Sequence, residues 1–264
     1  MPARPFFDGV ANLWQHNQEG QAEYFLGEHR KTGWIYYYPV IYLVKTPIAF
    51  LLLLLAGLIF FVRSAPIRTT WPQSAMLAVI PGMFMVGTLS HLSEGIRHML
   101  AAYVPMAALA AFGALCLYRS GKIARLTSIA LLTCHLISSA AAHPDYLAYF
   151  NELARSQAVA GRFGVDSDLD WGQDLWRLAE ASQRHHVPFL WIAYNGSADL
   201  NRAAGLGDWR PLPPRQRKDG WIAMSIYKLK LGQNDDFKAY SWLERYQPVE
   251  RVGKSILLYF IPNL

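Results

Sequence analysis

Four long apolar segments constrain the fold of this chain more than any other feature. Each is close to the length of about 20 helical residues that crosses a bilayer. A soluble protein can bury one such helix in its core, but four in succession, joined by short basic connections, favour a lipid environment. The sequence therefore predicts a transmembrane region over residues 36–143. The four predicted transmembrane helices run over residues 39–62, 74–90, 99–118 and 126–142.

The basic residues of the connections predict the orientation of these helices. Arg63 and Arg68 lie between the first two segments, and Arg119, Lys122 and Arg125 lie between the last two. Cytoplasmic loops carry an excess of lysine and arginine, so both connections are expected in the cytoplasm. Residues 1–35 and 144–264 are then extracytoplasmic, and so are both termini.

Composition excludes two classes of protein. The formal net charge is +6, but several of the basic residues flank apolar segments, which predicts membrane topology rather than nucleic-acid binding. Cys116 and Cys134 both fall inside apolar segments, and this excludes a domain held together by disulfides.

Three basic residues lie where the outer ends of the apolar segments are expected. Lys45 is in the first segment, and Arg97 and His98 precede the third. One interpretation is interfacial anchoring, in which long basic side chains reach the lipid headgroups. The other is that they bind a phosphate group at the outer membrane surface. The sequence leaves both open.

Residues 144–264 alternate between strand and helix patterns, which predicts a small extracytoplasmic α/β domain. An amphipathic helix on the membrane surface is expected over 146–153. The predicted strands cover residues 162–165, 189–194, 221–227 and 255–261. The predicted helices cover residues 174–185, 199–204 and 237–246.

An acidic segment precedes the first of these helices. Its polar and aromatic residues are Asp166, Asp168, Asp170, Trp171, Gln173 and Asp174. The spacing of the first three is like that of a calcium loop, but Trp171 stands where that loop needs glycine and Arg177 where it needs glutamate. A different divalent-cation site on Asp166, Asp168 and Asp170 stays open. Sugar binding through carboxylates, amides and a stacked indole is the second interpretation. Helix capping is the third, and it explains one or two of the acids.

Several segments together resemble bacterial membrane glycosyltransferases of the GT-C superfamily, the group similar to dolichyl-phosphate-mannose–protein mannosyltransferases. The resemblance covers nearly the whole chain, in the order of the family. It rests on Gly27-Glu28, Gly33-Trp34, Tyr37-Tyr38-Pro39, Lys45-Thr46-Pro47, Gly95-Ile96-Arg97-His98, His143-Pro144-Asp145-Tyr146, Tyr149-Phe150-Asn151-Glu152-Leu153 and the segment from Asp166 to Leu175.

The resemblance implies a multi-pass enzyme of the bacterial inner membrane. It would transfer a sugar from a polyprenyl-phosphate donor to a glycan, lipid or protein acceptor on the outer face. Lys45 and Arg97, with His98 beside them, would hold the lipid phosphate as it leaves. The family carries its catalytic acidic residue in an upstream outer loop and has more spans, so the chain is expected to be the C-terminal portion of such an enzyme, and no catalytic residue is assigned.

Two alternatives accompany this expectation. The chain could be a non-catalytic, membrane-anchored module whose outer domain binds a glycan or a partner. It could also be a truncated transferase without activity. Transfer of a sugar separates the first expectation from both alternatives.

Overall fold

The computed structural model describes residues 4–64, 71–93, 95–156, 169–202, 205–233 and 236–263. Arg68, Asp166, Asp168 and the strand predicted over 162–165 lie outside these ranges. The chain divides into two compact units. The helical unit comprises Met1–Gln21 and Thr32–Phe163, and the sheet unit comprises Ala22–Lys31 and Gly164–Leu264.

The helical unit contains six α-helices among its described residues. A 3₁₀ turn, Ile96–Met99, leads directly into the fifth of them. The helices are α1 (Arg4–Glu19), α2 (Tyr37–Lys45), α3 (Ile48–Ser64), α4 (Trp71–Leu89), α5 (Leu100–Arg119) and α6 (Lys122–Ala141).

Two stretches of helix are long and apolar enough to cross a membrane: Ile96–Arg119 and Lys122–Ala141. They correspond to the third and fourth predicted spans. Where the second was predicted, the apolar helical stretch is shorter, Leu77–Leu89. Where the first was predicted, α2 and α3 pass the same test only as a pair, and the pair is bent by 113°. The described residues therefore hold two candidate spans, or three if the bent pair counts as one.

The continuous first helix expected over 39–62 is wrong, because Thr46 and Pro47 break it. Pro47 has no N–H to give to a helix, and its ring disfavours helical geometry at the preceding residue. Thr46 accordingly has an extended backbone, with φ −105° and ψ 133°. The pattern of apolar residues continues across this break, and that continuity produced the error.

Small residues allow α3 and α5, which run in the same direction, to approach closely. A Cβ on Gly113 would lie 2.4 Å from both the Gly57 nitrogen and the Leu53 carbonyl oxygen. Near the start of both helices, the Thr46 and Tyr103 hydroxyls are hydrogen-bonded at 2.6 Å. In lipid, such close backbone packing supplies much of the attraction between helices.

The helices α4 and α6 run in the opposite direction to α5. Ser128, early in α6, donates to the carbonyl of Ala114, late in α5. His135, late in α6, lies beside Phe50 near the start of α3. At the end of α4, Gly87 packs against Met99. Chain direction therefore alternates from α3 through α6, as the predicted topology requires.

Gly113→Ala is expected to destabilise the helical unit by about 2 kcal/mol, because its new methyl group would overlap fixed backbone atoms of α3. The measurement is thermal unfolding in detergent micelles. Gly82→Ala is the matched control in α4, where an added Cβ meets nothing within 4 Å. Equal unfolding temperatures for the two variants would contradict the close α3–α5 contact.

The sheet unit is built on a mixed five-stranded sheet with the order β4-β3-β5-β7-β6. Strand β3 is parallel to β4 and β5, whereas β7 is antiparallel to β5 and β6. The strands are β3 (Phe189–Ala193), β4 (Asp208–Pro211), β5 (Gly220–Ser225), β6 (Glu250–Val252) and β7 (Ile256–Ile261).

Two apolar clusters stabilise this sheet. One contains Leu178 and Ala181 of helix α7 (Leu175–Arg184), with Leu190 and Leu258 of the strands. The other contains Tyr240, Leu243, Ile222 and Tyr259 among its members. These clusters confirm a small α/β core.

A short hairpin from the N-terminal part of the chain also belongs to the sheet unit. Its strands β1 (Glu23–Phe25) and β2 (Glu28–Arg30) are antiparallel. Phe25 is fully buried. The His29 ring lies 4.4 Å from that of Phe237 and hydrogen-bonds the Lys230 carbonyl.

The sequence predicted the central elements of this unit better than the short ones. The helix expected over 174–185 and the strands expected over 189–194 and 255–261 are confirmed. The strand expected over 221–227 ends at Ser225, where a short helix, α8 (Ile226–Leu231), begins. The helix expected over 146–153, in the helical unit, and the helix expected over 237–246 are wrong. The first region consists of turns, and the second contains only a 3₁₀ helix, Ser241–Arg245. Where a helix was expected over 199–204, the described part is the 3₁₀ turn Leu200–Arg202.

Candidate functional site

The segment after α6 closes the break between α2 and α3. The Asn151 side-chain nitrogen donates to the carbonyls of Leu43, at 2.6 Å, and Thr46, at 2.9 Å. The Asn151 backbone N–H donates to the Val44 carbonyl at 2.8 Å. A helix end leaves its last carbonyls without intrahelical partners, and hydrocarbon offers no water to replace them. Asn151, which is 2% exposed, satisfies three of these carbonyls.

Glu152 serves the other side of the break. One carboxylate oxygen accepts the Ile48 backbone N–H at 3.4 Å, at the start of α3. The other accepts the Ser138 hydroxyl at 2.6 Å. Burial favours the neutral acid, but these hydrogen bonds outweigh it and lower the pKa of Glu152. Glu152 is therefore a carboxylate at the N-terminus of α3, where the helix dipole also favours negative charge.

The same segment covers Lys45, the first of the three predicted phosphate ligands. Lys45 is 8% exposed. Its ammonium group donates to the Leu147 carbonyl at 3.1 Å and lies 5.1 Å from the centre of the Phe150 ring. The side chain is thus packed inside the protein rather than extended towards lipid headgroups.

The other two predicted ligands, Arg97 and His98, share the 3₁₀ turn before α5. The Arg97 Nε donates to His98 Nε2 at 3.2 Å. Arg97 is half-buried and His98 is exposed. Helix α2 packs against this turn, so Lys45 and the Arg97–His98 pair lie at the same end of the helical unit. The three basic residues therefore lie at the same end of the helical unit, and their binding of a phosphate stays a prediction.

Asn151 and Glu152 are functional candidates that sequence reasoning did not assign. Both occur in a segment that carries the family resemblance, but their partners lie about a hundred residues earlier. The detectable signal was the proline after Thr46, which leaves backbone groups in an apolar region without partners.

Asn151→Leu is expected to destabilise the helical unit by about 3 kcal/mol, because it leaves the Leu43 and Thr46 carbonyls unpaired at similar side-chain volume. Thermal unfolding in detergent measures the loss. Leu153→Ala, which changes an 80% exposed neighbour, is the control and is expected to be neutral. An Asn151→Leu variant as stable as this control would show that the break is closed by other groups.

In the sheet unit, Asp170 fixes the acidic segment against the sheet. Its carboxylate accepts the backbone N–H of Gly172 at 3.0 Å and that of Asn195 at 3.4 Å. The Ser225 side chain, at the end of β5, also hydrogen-bonds to it. The Asn195 side chain donates to the Asp170 carbonyl at 3.2 Å. Asp170 is fully buried, so its hydrogen-bonding capacity is directed at the chain itself.

Asp174 joins the start of α7 to the turn between β6 and β7. One carboxylate oxygen accepts the Lys254 and Ser255 backbone N–H groups, at 2.8 and 2.9 Å, and the Ser255 hydroxyl at 2.8 Å. The other oxygen pairs with Arg177. Asp174 occupies the N-cap position, but its side chain makes no capping bond to its own helix. Gly253, with φ +59°, provides the space, since a Cβ there would lie 2.0 Å from the carboxylate.

Gln173 and Trp171 are the other described polar and aromatic residues of the acidic segment. Gln173 forms a turn, and the Trp171 side chain is exposed. The Gln173 side chain accepts the Trp171 N–H and donates to the Leu169 carbonyl, both at 2.7 Å, and so closes a local turn. The Trp171 indole is 47% exposed. Trp176, in the first turn of α7, is 55% exposed and stacks beneath the Arg177 guanidinium. Trp171 is therefore the predicted sugar-binding residue, of those described, that offers a large accessible surface.

The possible cation site is described only through Asp170. Asp166 and Asp168 lie outside the described residues. Within the described ranges, no three His, Cys, Asp or Glu side chains are grouped to hold a metal ion. Both Asp170 oxygens accept hydrogen bonds from the chain, so a cation there would have to displace them.

Burial dominates the electrostatics of this network. It raises the pKa of Asp170, against the hydrogen bonds from Ser225, Gly172 and Asn195, and the nearby Asp174 charge adds to the increase. Burial likewise lowers the pKa of Lys228, although the Asp170 charge opposes this. Burial also lowers the pKa of Arg251, and the negative charge of Asp174 opposes this decrease. Asp170 therefore interacts electrostatically with Asp174 and Lys228, and Asp174 also interacts with Arg251.

The Asp170 carboxyl is expected to titrate above the ordinary range of an aspartate, as measured by carbon NMR of the side chain. Because the folded chain keeps this proton where the unfolded chain has lost it, the stabilising effect is complete at low pH. The free energy of unfolding then falls as pH rises through the raised pKa. Asp170→Asn removes this part of the pH dependence. A carboxyl that titrates at or below the ordinary range would contradict the burial argument.

Comparison with other proteins adds no relative. No protein-family model, curated protein or solved structure matches the chain.

Proposed function

We propose that this chain is the C-terminal part of an integral membrane glycosyltransferase that uses a polyprenyl-phosphate-linked sugar. Transfer takes place at the outer face of the bacterial inner membrane. The helical unit holds the lipid phosphate, and the acceptor is a glycan, a lipid or a protein.

One observation carries this proposal: motif segments far apart in the sequence meet at one end of the helical unit. Lys45-Thr46-Pro47 contacts the segment Tyr149–Leu153 through Asn151 and Glu152. The Tyr38 hydroxyl donates to the Leu92 carbonyl, just before the Arg97–His98 turn. These motif segments of the helical unit therefore form one assembled region, which supports a site rather than a set of unrelated anchors.

The distribution of charge supports placing this region at the outer face. Arg63 lies in the last turn of α3, Arg119 ends α5, and Lys122 begins α6. With the alternating helix directions, these residues lie at the end opposite to Lys45 and Arg97. The positive-inside bias then assigns the first group to the cytoplasm.

The three basic residues have different roles in binding the phosphate. Arg97 and His98, which are more accessible, contact the phosphate oxygens, and Arg97 can donate two parallel hydrogen bonds. Lys45, packed beneath Leu147 and Phe150, raises the local potential from inside. Both effects stabilise the negative charge that the leaving lipid phosphate acquires as the sugar departs.

Arg97→Ala is expected to reduce labelling by a photoreactive polyprenyl phosphate about tenfold, because a charge-assisted hydrogen bond contributes about 1.5–3 kcal/mol. The assay uses the full chain in lipid nanodiscs. Arg119→Ala is the matched control, since it removes the same charge from the other end of α5. Equal labelling of the two variants would reject the phosphate site.

Sugar transfer tests the enzymatic half of the proposal. Membranes from cells that carry the native gene are expected to transfer radiolabelled sugar from a polyprenyl-phosphate donor, and Arg97→Ala is expected to lower the rate. The exposed Trp171 and Trp176 favour a second candidate, a membrane-anchored glycan-binding module. Glycan binding that depends on Trp171, without donor labelling or transfer, would support this second function instead.

A further inference from the structure

Helix α1 carries an apolar stripe that the described chain leaves uncovered. Its residues recur with the spacing of one helix face and are between 50% and 69% exposed. They span roughly a third of the helix circumference, at 100° per residue. The stripe consists of Phe6, Phe7, Val10, Leu13 and Trp14.

The opposite side of α1 is polar. Asp8, Asn12, Gln15 and Glu19 lie along it at helical spacing. All residues from Pro5 to His16 are exposed. A helix of 16 residues that packs against little of its own chain is marginal in water, because most helical stability in proteins comes from burying an apolar face. The helix therefore needs an external apolar phase.

Hydrogen bonds of Asn17 attach α1 to the rest of the helical unit, and they show what lies next to the stripe. Asn17 follows Val10 by seven residues and Leu13 by four, so it lies on the same face as the stripe. Its side chain accepts the Ser90 hydroxyl at 2.9 Å and the His91 backbone N–H at 3.0 Å. These two residues directly follow Leu89, the last residue of α4. The face with the stripe is thus turned towards the end of an apolar helix.

The surface of α4 next to this anchor is itself apolar and exposed. Met85, Val86 and Leu89 are 61%, 65% and 71% exposed. Helix α4 packs against α5, which belongs to a candidate span, so its exposed apolar surface suits contact with lipid, and at the end of such a surface lipid gives way to headgroups. The stripe continues this surface at the level where an amphipathic helix partitions into a bilayer.

We propose that α1 lies in the membrane interface, with Phe6, Phe7, Val10, Leu13 and Trp14 inserted into the bilayer surface. The occupant of the stripe is lipid. The few charges of α1, Arg4, Asp8 and Glu19, do not give it a strongly basic polar face. Apolar burial therefore drives the insertion, and a neutral phosphatidylcholine bilayer suffices. The inference is independent of the proposed enzymatic activity.

Spin labels on the full chain test this placement. Val10→Cys and Leu13→Cys are prepared with Cys116→Ser and Cys134→Ser, and reconstituted in phosphatidylcholine nanodiscs. Asn12→Cys on the polar side is the matched control. Oxygen concentrates in lipid, whereas a water-soluble nickel complex is excluded from it. We expect the ratio of oxygen to nickel accessibility to be severalfold higher at positions 10 and 13 than at position 12.

Two results would overturn the inference. Nickel accessibility at positions 10 and 13 equal to that at position 12 would place the stripe in water. Protection of positions 10 and 13 from both reagents would show that protein covers the stripe. All three positions are exposed on the helix surface, so the labels are not expected to disturb folding.

Discussion

The helical unit depends on how it satisfies the backbone groups at the Thr46–Pro47 break. A helix that stops inside an apolar region exposes carbonyls at one end and N–H groups at the other, and each unpaired group costs several kcal/mol in hydrocarbon. Asn151 bonds three carbonyls at the end of α2, those of Leu43, Val44 and Thr46, and Glu152 bonds the start of α3. Thr46 and Pro47 cause the bend, and these bonds fix the segment after α6 over it, where Leu147 and Phe150 cover Lys45.

A related principle organises the sheet unit. Asp170 and Asp174 are buried acids whose oxygens accept hydrogen bonds from backbone N–H groups and serines on two neighbouring turns. Such acids hold loops in place more firmly than apolar contacts do, because removing one leaves several buried donors unpaired. The acidic segment therefore combines two kinds of residue. The carboxylates support the loop, and the indole of Trp171 is presented at its surface.

Long periodic elements of this protein were predictable from sequence, and the short or interrupted ones were not. Helix α7 and strands β3 and β7 combine the right period with clear ends, and the sequence identified them. The apolar run from Pro39 to Val62 has no polar interruption except Lys45 and Thr46, so its composition predicted a single helix. The geometry of Pro47 divides it into two helices. The turns at residues 146–153 have helical spacing of apolar residues, but Asn151 and Glu152 also bond α2 and α3, and these distant partners leave no local signal. Short strands such as β4 and β6 are fixed by their neighbours in the sheet, and such non-local pairing leaves little trace in a single sequence.

The candidate site was predicted in the same uneven way. The three basic residues were identified by charge in an apolar context, and they lie at one end of the helical unit. The roles of Asp170 and Asp174 in supporting the loop were accessible only through their partners, Ser225, Asn195 and Ser255, which lie far along the chain. Gly253 could not be assigned from sequence, because its requirement comes from a carboxylate about eighty residues away.

The closure of the break also has a consequence for biosynthesis. Asn151 leaves the ribosome only after every apolar segment of the chain has been made. Until then the Leu43, Val44 and Thr46 carbonyls beside the break lack the partners that Asn151 later supplies. Thr46 and Pro47 encode the break itself, so its closure comes later, when the newly made segment after α6 reaches back to α2. The order of synthesis thus separates the break from its closure.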